Sequence, residues 1–176
     1  MHNILILGGD GFIGKNILNY MNEIDFFKNY KKFLTSTNKL YPAEEMPDNC
    51  EFVNIKLEQV DKIRSLIKEN NIQTIVHLVS GIIPASDEND FRKEKYKVIS
   101  PTNEIFSFAA ELGIKVIFIS SGGTIYKNNL EAHKETEDLN PINYYGISKI
   151  TIEKMLQSLK LNSNLRYITL RPSNVY

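Results

Sequence analysis

Short apolar runs recur along the chain, and between them lie stretches in which apolar residues come every three or four positions. The runs are NILIL (3–7), KFLTS (32–36), EFVNI (51–55), TIVHLV (74–79), KVIFIS (115–120) and YITLR (167–171). They are short and rich in β-branched residues, as strands buried on both faces are. In VDKIRSLIKENN, Val60, Ile63, Leu66 and Ile67 fall on one helical stripe. TNEIFSFAAELG starts at Thr102, a cap candidate, and stops at Gly113, a C′ candidate. YYGISKITIEKMLQSLK sets Ile147, Ile150, Met155 and Leu159 in a broad apolar stripe. Six strands alternating with helices predict an α/β fold: a doubly wound parallel sheet covered on both faces. No internal repeat or low-complexity linker divides the chain, so residues 1–176 read as one domain. The polar stretches 84–97 and 127–141 predict loops bordering a site.

The first run opens directly into glycines, in ILILGGDGFIGKNI (4–17). Gly9, Gly11 and Gly14 fit G-x-G-x-x-G, and Gly8, Gly11 and Gly14 fit G-x-x-G-x-x-G. A glycine turn between a strand and a helix lets backbone N–H groups meet a phosphate at the positive helix end, where side chains would block the approach. A P-loop needs G-x-x-x-x-G-K-[ST] with a hydroxyl for Mg²⁺; here Lys15 is followed by Asn16, and no strand ends in a clear Mg²⁺-holding Asp. A Rossmann-like dinucleotide site needs strand, turn and helix in a βαβ unit, and all three are present. The usual carboxylate for the ribose hydroxyls is missing from the end of the second strand. Thr35, Ser36 and Thr37 stand there, with no carboxylate before Glu44. Hydroxyls can bond a ribose, and Ser36 with Lys39 could instead meet a 2′-phosphate, so NAD and NADP both stay open.

Composition changes this picture mainly by exclusion. The chain has 176 residues, 42% hydrophobic and 24% charged, ordinary for a globular domain with a real core. Basic and acidic residues number 21 each, so no net field draws nucleic acid or an anionic membrane. Cys50 is alone, which excludes an internal disulfide and suits a reducing compartment. No apolar run approaches the roughly 18 residues of a membrane span, and the short run at the start is no signal peptide. A soluble cytoplasmic domain is expected. His2, His77 and His133 show no metal-ligand spacing with Cys50, so no metal is expected. His77, a strand histidine in an apolar run, reads as a hydrogen-bonded structural residue. The charge run FRKEKYK (91–97) reads as a solvated surface.

Tyr145 and Lys149, in YYGISK, lie at i and i+4, on one face of a helix. A pair at that spacing arises by chance in a chain of this composition, so order and context decide its meaning. GGDGFIG after the first strand, IVHLVS at the fourth, FISSGGTIY at the fifth, YYGISKITIEK on a helix and LRPSNVY at the sixth follow in series across the whole chain. This series resembles the extended short-chain dehydrogenase/reductases, and within them the NAD-dependent epimerase/dehydratase family that acts on nucleotide sugars, such as UDP-glucose 4-epimerases.

The resemblance implies roles by position. Tyr145 would transfer the proton, with Lys149 its partner and an anchor for the nicotinamide ribose. Gly8, Gly11, Phe12, Ile13 and Gly14 would line the pyrophosphate. Leu78, Val79 and Ser80 would form the strand-4 wall, Ser120 and Ser121 the strand-5 wall. Pro172, Ser173 and Val175 would sit near the carboxamide. The cofactor would be NAD, with NADP open as above, and the substrate a nucleotide sugar such as a UDP-hexose. A homodimer would form through the helices at 102–113 and 144–160.

The chain departs from the family pattern at several points. The usual assisting Ser or Thr is Gly122, which leaves Thr124 or Ser121 to supply the hydroxyl, with Thr124 favoured. The acid near the end of strand 3 is Lys56, and the Asn before SPTN is Val98. Gly123-Thr124 stands where dehydratases carry an Asp-Glu pair, which ranks epimerase ahead of reductase and 4,6-dehydratase. The family's substrate-binding C-terminal region is expected to be missing, since the sequence stops inside the LRPSNVY motif. For Tyr145 to act as a base, its pKa must fall from about 10 to about 7, an effect expected from Lys149 and a positive nicotinamide ring together. Against an enzyme stands a dinucleotide-binding module without turnover, motivated by Gly122, Val98 and the missing region.

Overall fold

The computed structural model describes residues 2–36, 49–127 and 132–173. Its centre is a six-stranded sheet in the order β3-β2-β1-β4-β5-β6. The strands are β1 (His2–Leu7), β2 (Tyr30–Ser36), β3 (Cys50–Asn54), β4 (Thr74–His77), β5 (Lys115–Ile119) and β6 (Tyr167–Leu170), all paired in parallel. Leu7 pairs with His77, His77 with Phe118 and Phe118 with Thr169, so one row crosses the sheet near its carboxyl edge. The segments that leave β1, β4, β5 and β6 therefore start level with one another. The chain order reverses between β1 and β4, the place where open α/β sheets leave a crevice.

Alternate residues of each strand face opposite sides. Leu5 and Leu7 join the larger core with Phe33, Ile75, Val116 and Phe118. That core is closed by α2 (Val60–Glu69), α4 (Ser100–Glu111) and α5 (Tyr144–Ser163). Ile4 and Ile6 face the other side with Leu34 and Val76, covered by Leu18 and Met21 of α1 (Phe12–Glu23). The two faces are covered unequally. On β6, Ile168 and Leu170 are 41% and 48% exposed.

Three expectations are corrected here. The stretch 84–97 is a loop only up to Asp87: α3 (Glu88–Glu94) then runs into a π-helical turn (Lys95–Ile99) and on into α4. Its helicity comes from local polar chemistry that apolar periodicity misses. Asp87 caps α3 by accepting from the Asp90 amide at 3.0 Å, with Glu88 and Asp90 in the first turn and Arg92 and Lys93 in the last. Thr102 caps nothing, because the helix reaches it from upstream; its hydroxyl is fully buried, 2.8 Å from His77 Nε2. The C-terminal signal is as expected, with Gly113 at φ 67° just past the end of α4. In α5 the buried side is Gly146, Ser148, Lys149, Ile152, Glu153 and Leu156, while Ile147, Ile150, Met155 and Leu159 are only half-buried. The helix turns its polar groups toward the sheet edge and leaves the apolar stripe partly in solvent.

Candidate functional site

The glycines after β1 do different jobs. Gly8 sits at φ 80°, a left-handed turn that a side chain would strain. A Cβ on Gly9 would overlap the Leu34 side chain, and one on Gly14 would lie 2.5 Å from the Gly9 carbonyl oxygen. These two are glycine so that α1 can lie close against the sheet. A Cβ on Gly11 would meet only the Gly8 carbonyl oxygen, at 3.4 Å. Packing therefore leaves room for a side chain at Gly11, which lines a cleft of about 680 Å³. Here α1 begins with Gly11 as its N-cap, no side-chain cap and no acid in its first turn. The start of the helix, Phe12, Ile13 and Gly14, faces that cleft.

The level strand ends supply the other walls. After β4 come Leu78 and Ser80; Val79 instead packs back on Gly8 and the core. After β5 come Ser120, Ser121 and Thr124, all buried, with Thr124 Oγ1 donating to Ser121 Oγ at 3.0 Å. Ser120 Oγ is buried with no hydrogen-bond partner among the described residues. Gly122 is where it is for packing. Its amide donates to the Pro172 carbonyl at 2.7 Å, and a Cβ there would lie 2.7 Å from the Arg171 carbonyl oxygen. After β6, Pro172 and Ser173 complete the mouth.

Tyr145 and Lys149 enter the same cleft from the first turns of α5. Asn143 caps this helix, accepting from the Gly146 amide at 2.8 Å. Gly146 sets its depth: a Cβ there would come within about van der Waals overlap of the Thr124 carbonyl, so only glycine lets α5 press onto the segment after β5. The α5 N-terminus thereby holds Tyr145 and Lys149 in the cleft with Thr124 and Ser121.

Charge in the cleft departs from the simple Tyr–Lys expectation. Lys149 is 4% exposed; its ammonium donates to the Ile119 carbonyl at 3.2 Å and lies 5.3 Å from the Tyr145 ring centroid. Burial lowers its pKa to about 8, against a raising influence from Glu94. Burial, then the Glu94 carboxylate, raise the Tyr145 pKa above the ordinary phenol value. The protein surroundings alone thus move Tyr145 away from neutrality, not toward it, and it keeps its proton at neutral pH. His77 is fully buried and pushed to about 3, first by burial and then by Lys149, so its ring is neutral. It bonds Thr102 and contacts the Phe106 and Phe118 rings, a structural placement.

Of the residues expected at the site, Ser36 ends β2, and Val175 lies outside the described residues, as do Thr37 and Lys39. Lys56 is exposed and Val98 buried. Sequence reasoning missed Ile82, Ile83 and Pro84, which line the cleft beyond Ser80. It also missed Glu94, 2% exposed inside the run read as solvated. The rest of that run is exposed or half-buried. The one available signal was position: Glu94 precedes buried Val98 by one helical turn. Among the described residues, no group of three His, Cys, Asp or Glu could hold a metal, and no helix is long and apolar enough to cross a membrane.

Comparison with known proteins agrees with the fold. The NAD dependent epimerase/dehydratase family matches residues 4–176. A dTDP-4-dehydro-6-deoxyglucose reductase of Escherichia coli is 28% identical, across 99% of this chain and 56% of its own. A putative UDP-glucose 4-epimerase of Methanocaldococcus jannaschii is 30% identical, across 98% and 56%. Among solved structures, the UDP-glucose 4-epimerase of Thermotoga maritima with UDP-glucose superposes with a TM-score of 0.85 at 26% identity, across 99% and 56%. The chain thus spans about 56% of the length of these relatives.

Proposed function

We propose that this chain, which belongs to the NAD-dependent epimerase/dehydratase family, binds NAD and supplies the acid–base residues of an epimerase acting on a nucleotide sugar, a UDP-hexose. The observation that carries the reading is the convergence of Tyr145, Lys149 and Thr124 on the cleft into which the uncapped start of α1 opens. The glycine loop fits a dinucleotide: Gly11 is the loop position where protein packing tolerates a side chain, so its lack of one keeps space for a ligand. The helix start beside it favours an anion such as a pyrophosphate. NAD, when bound, supplies the hydride chemistry at a sugar carbinol. Tyr145 takes or gives the proton of the sugar hydroxyl, and Lys149 lends its positive charge to the phenolate and a donor to the cofactor ribose. Thr124, bonded to Ser121, orients the sugar hydroxyl. Reduction of a keto sugar is the second reading, favoured by the proton that Tyr145 retains at neutral pH. The balanced charge and the single Cys50 support a cytoplasmic place for this chemistry.

Calorimetry with NAD tests the cofactor half. Gly11→Val puts a branched side chain into the space beside the helix start, and at least about a tenfold loss of affinity is expected, near 1.4 kcal/mol. Unchanged affinity in a folded Gly11→Val protein would remove the claim.

The same reading makes the chain a homodimer through segments 102–113 and 144–160. Half-buried Ile147, Ile150, Met155 and Leu159 on α5 and exposed Leu112 after α4 support it, since a lone helix pair leaves such surface in water. Light scattering at tens of micromolar should give twice the chain mass; a monomer there counts against the dimer.

A further inference from the structure

We propose that Glu94 is a positioning residue of this site: its buried carboxylate, held by the Gly81 amide and the Ser148 hydroxyl, places a fixed negative charge behind Lys149 and Tyr145. This rests on the reading of Tyr145 and Lys149 as the acid–base pair.

Glu94 ends α3, and the π turn after it carries the chain into α4. Its Oε2 accepts from the Gly81 amide at 2.9 Å, and its Oε1 from Ser148 Oγ at 3.3 Å. One carboxylate thereby joins the segment after β4 to the buried side of α5, next in sequence to Lys149. Gly81 is shaped to it: a Cβ there would lie 2.6 Å from Oε2. A carboxylate 2% exposed is an expensive way to fill space, and an alanine or leucine would pack without the cost. A charge kept in such a position, beside two titratable groups in a cleft, marks function more often than structure.

Among the described residues, the groups that act on this carboxylate come from two elements. From the β4 end come Ser80 and Gly81, and from α5 come Tyr145, Ser148 and Lys149. His77 of β4 feels Lys149 and stays neutral. The sign of the effect on each partner is opposite. A negative charge favours the ammonium of Lys149 and disfavours the phenolate of Tyr145. Glu94 therefore adds to burial in holding the proton on Tyr145 and offsets part of what burial takes from the charge on Lys149. Without it, Lys149, already at about 8 by burial, falls toward neutrality within the working pH range.

The pair can be titrated in the chain alone, without NAD or a sugar. Lys149, at about 8, loses its proton well before an ordinary lysine near 10.4, so its carbon-13 side-chain NMR signal, assigned by loss in Lys149→Ala, is separable. Glu94→Gln keeps an acceptor for Gly81 and Ser148 but removes the charge. The Lys149 midpoint should fall by about half a pH unit or more, a threefold change in its ionisation constant. An unmoved midpoint overturns the proposal, because a purely structural glutamate would be replaced by glutamine without electrostatic effect. Should Glu94→Gln fail to fold, the Gly81 amide of the unmodified chain decides. Its proton shift should follow a carboxyl titration displaced above the usual glutamate range, and a flat response overturns the contact. Neither readout involves turnover, so a failure here leaves the Tyr145 assignment standing, and an inactive Tyr145 leaves these titrations unchanged.

Discussion

Tyr145→Phe is expected to slow turnover of a UDP-hexose by at least about a hundredfold, the lower end of the loss of a general acid/base. The substitution removes one oxygen and keeps the ring, so the lysine 5.3 Å from its centroid and the packing of α5 stay as they are. Affinity for NAD should change little, because Tyr145 forms only part of one wall of the cleft. The pH dependence follows from the surroundings of the pair. Tyr145, raised above the ordinary phenol value by burial and Glu94, carries its proton throughout neutral pH and is ready to give it. Taking a proton requires the charge on Lys149, which disappears as pH rises through about 8. Activity of the unmodified protein should therefore decline above that pH, and the decline should be absent from whatever rate Tyr145→Phe retains. A pH–rate profile with NAD supplied makes the measurement. If the variant matches the unmodified protein in rate and profile, Tyr145 is a bystander, and a binding module without turnover becomes the better description.

Arg171→Ala is expected to cost about 3 kcal/mol or more of folding stability, the usual penalty for leaving one partner of a buried ion pair alone. The guanidinium grips Glu153 of α5 with two nitrogens, at 2.6 and 3.1 Å. Its third nitrogen donates to the Tyr126 hydroxyl at 2.6 Å and to the Glu135 carbonyl at 3.0 Å. Glu153 is 2% exposed, so removal of the arginine strands a carboxylate in the interior. The same clamp fixes the end of β6, and with it Pro172 and Ser173 at the cleft mouth. Urea denaturation of both forms measures the difference. A loss below about 1 kcal/mol would mean that water or a neighbouring cation takes over the carboxylate, as at exposed pairs. Arg171→Met combined with Glu153→Leu should recover much of the loss, since no unpaired charge then remains.

Much of this architecture was legible from the order of residues. Strands buried on both faces announce themselves as β-branched runs, and each run fell on a strand because a parallel sheet leaves little freedom in how they are used. The glycine loop was equally open to reading as a turn that admits a phosphate, but which of its glycines is free of packing duty, Gly11, shows only in the fold. Tyr145 and Lys149 could be placed only through the order of motifs around them, since their spacing alone is common. What stayed hidden is what depends on partners distant in sequence. Thr102 has the chemistry of a cap, but the helix runs through it from upstream and its hydroxyl meets His77 of β4. Glu94 sits among lysines and arginines, and its burial comes from Gly81 and Ser148, 13 and 54 residues away. Likewise, the sign of the Tyr145 shift followed from burial first and then from that hidden carboxylate, neither of which a motif records.

The π turn between Glu94 and Ser100 bears on how relatives are to be aligned. Pro101 follows it with only Ser100 between; a proline in a plain helix clashes with the carbonyl four residues back, and the wider turn relieves that clash. The Ser100 amide reaches back five residues to Lys95 instead of four. That extra residue is a phase slip of about 100° between the two helical segments on either side. In a relative with an unbroken α-helix here, equal numbering no longer means equal direction. The residue that points toward the segment after β4 then stands one place away from the position aligned with Glu94. A gap placed within 95–99, rather than in the loops, keeps both the Gly81 contact and the α4 core in register.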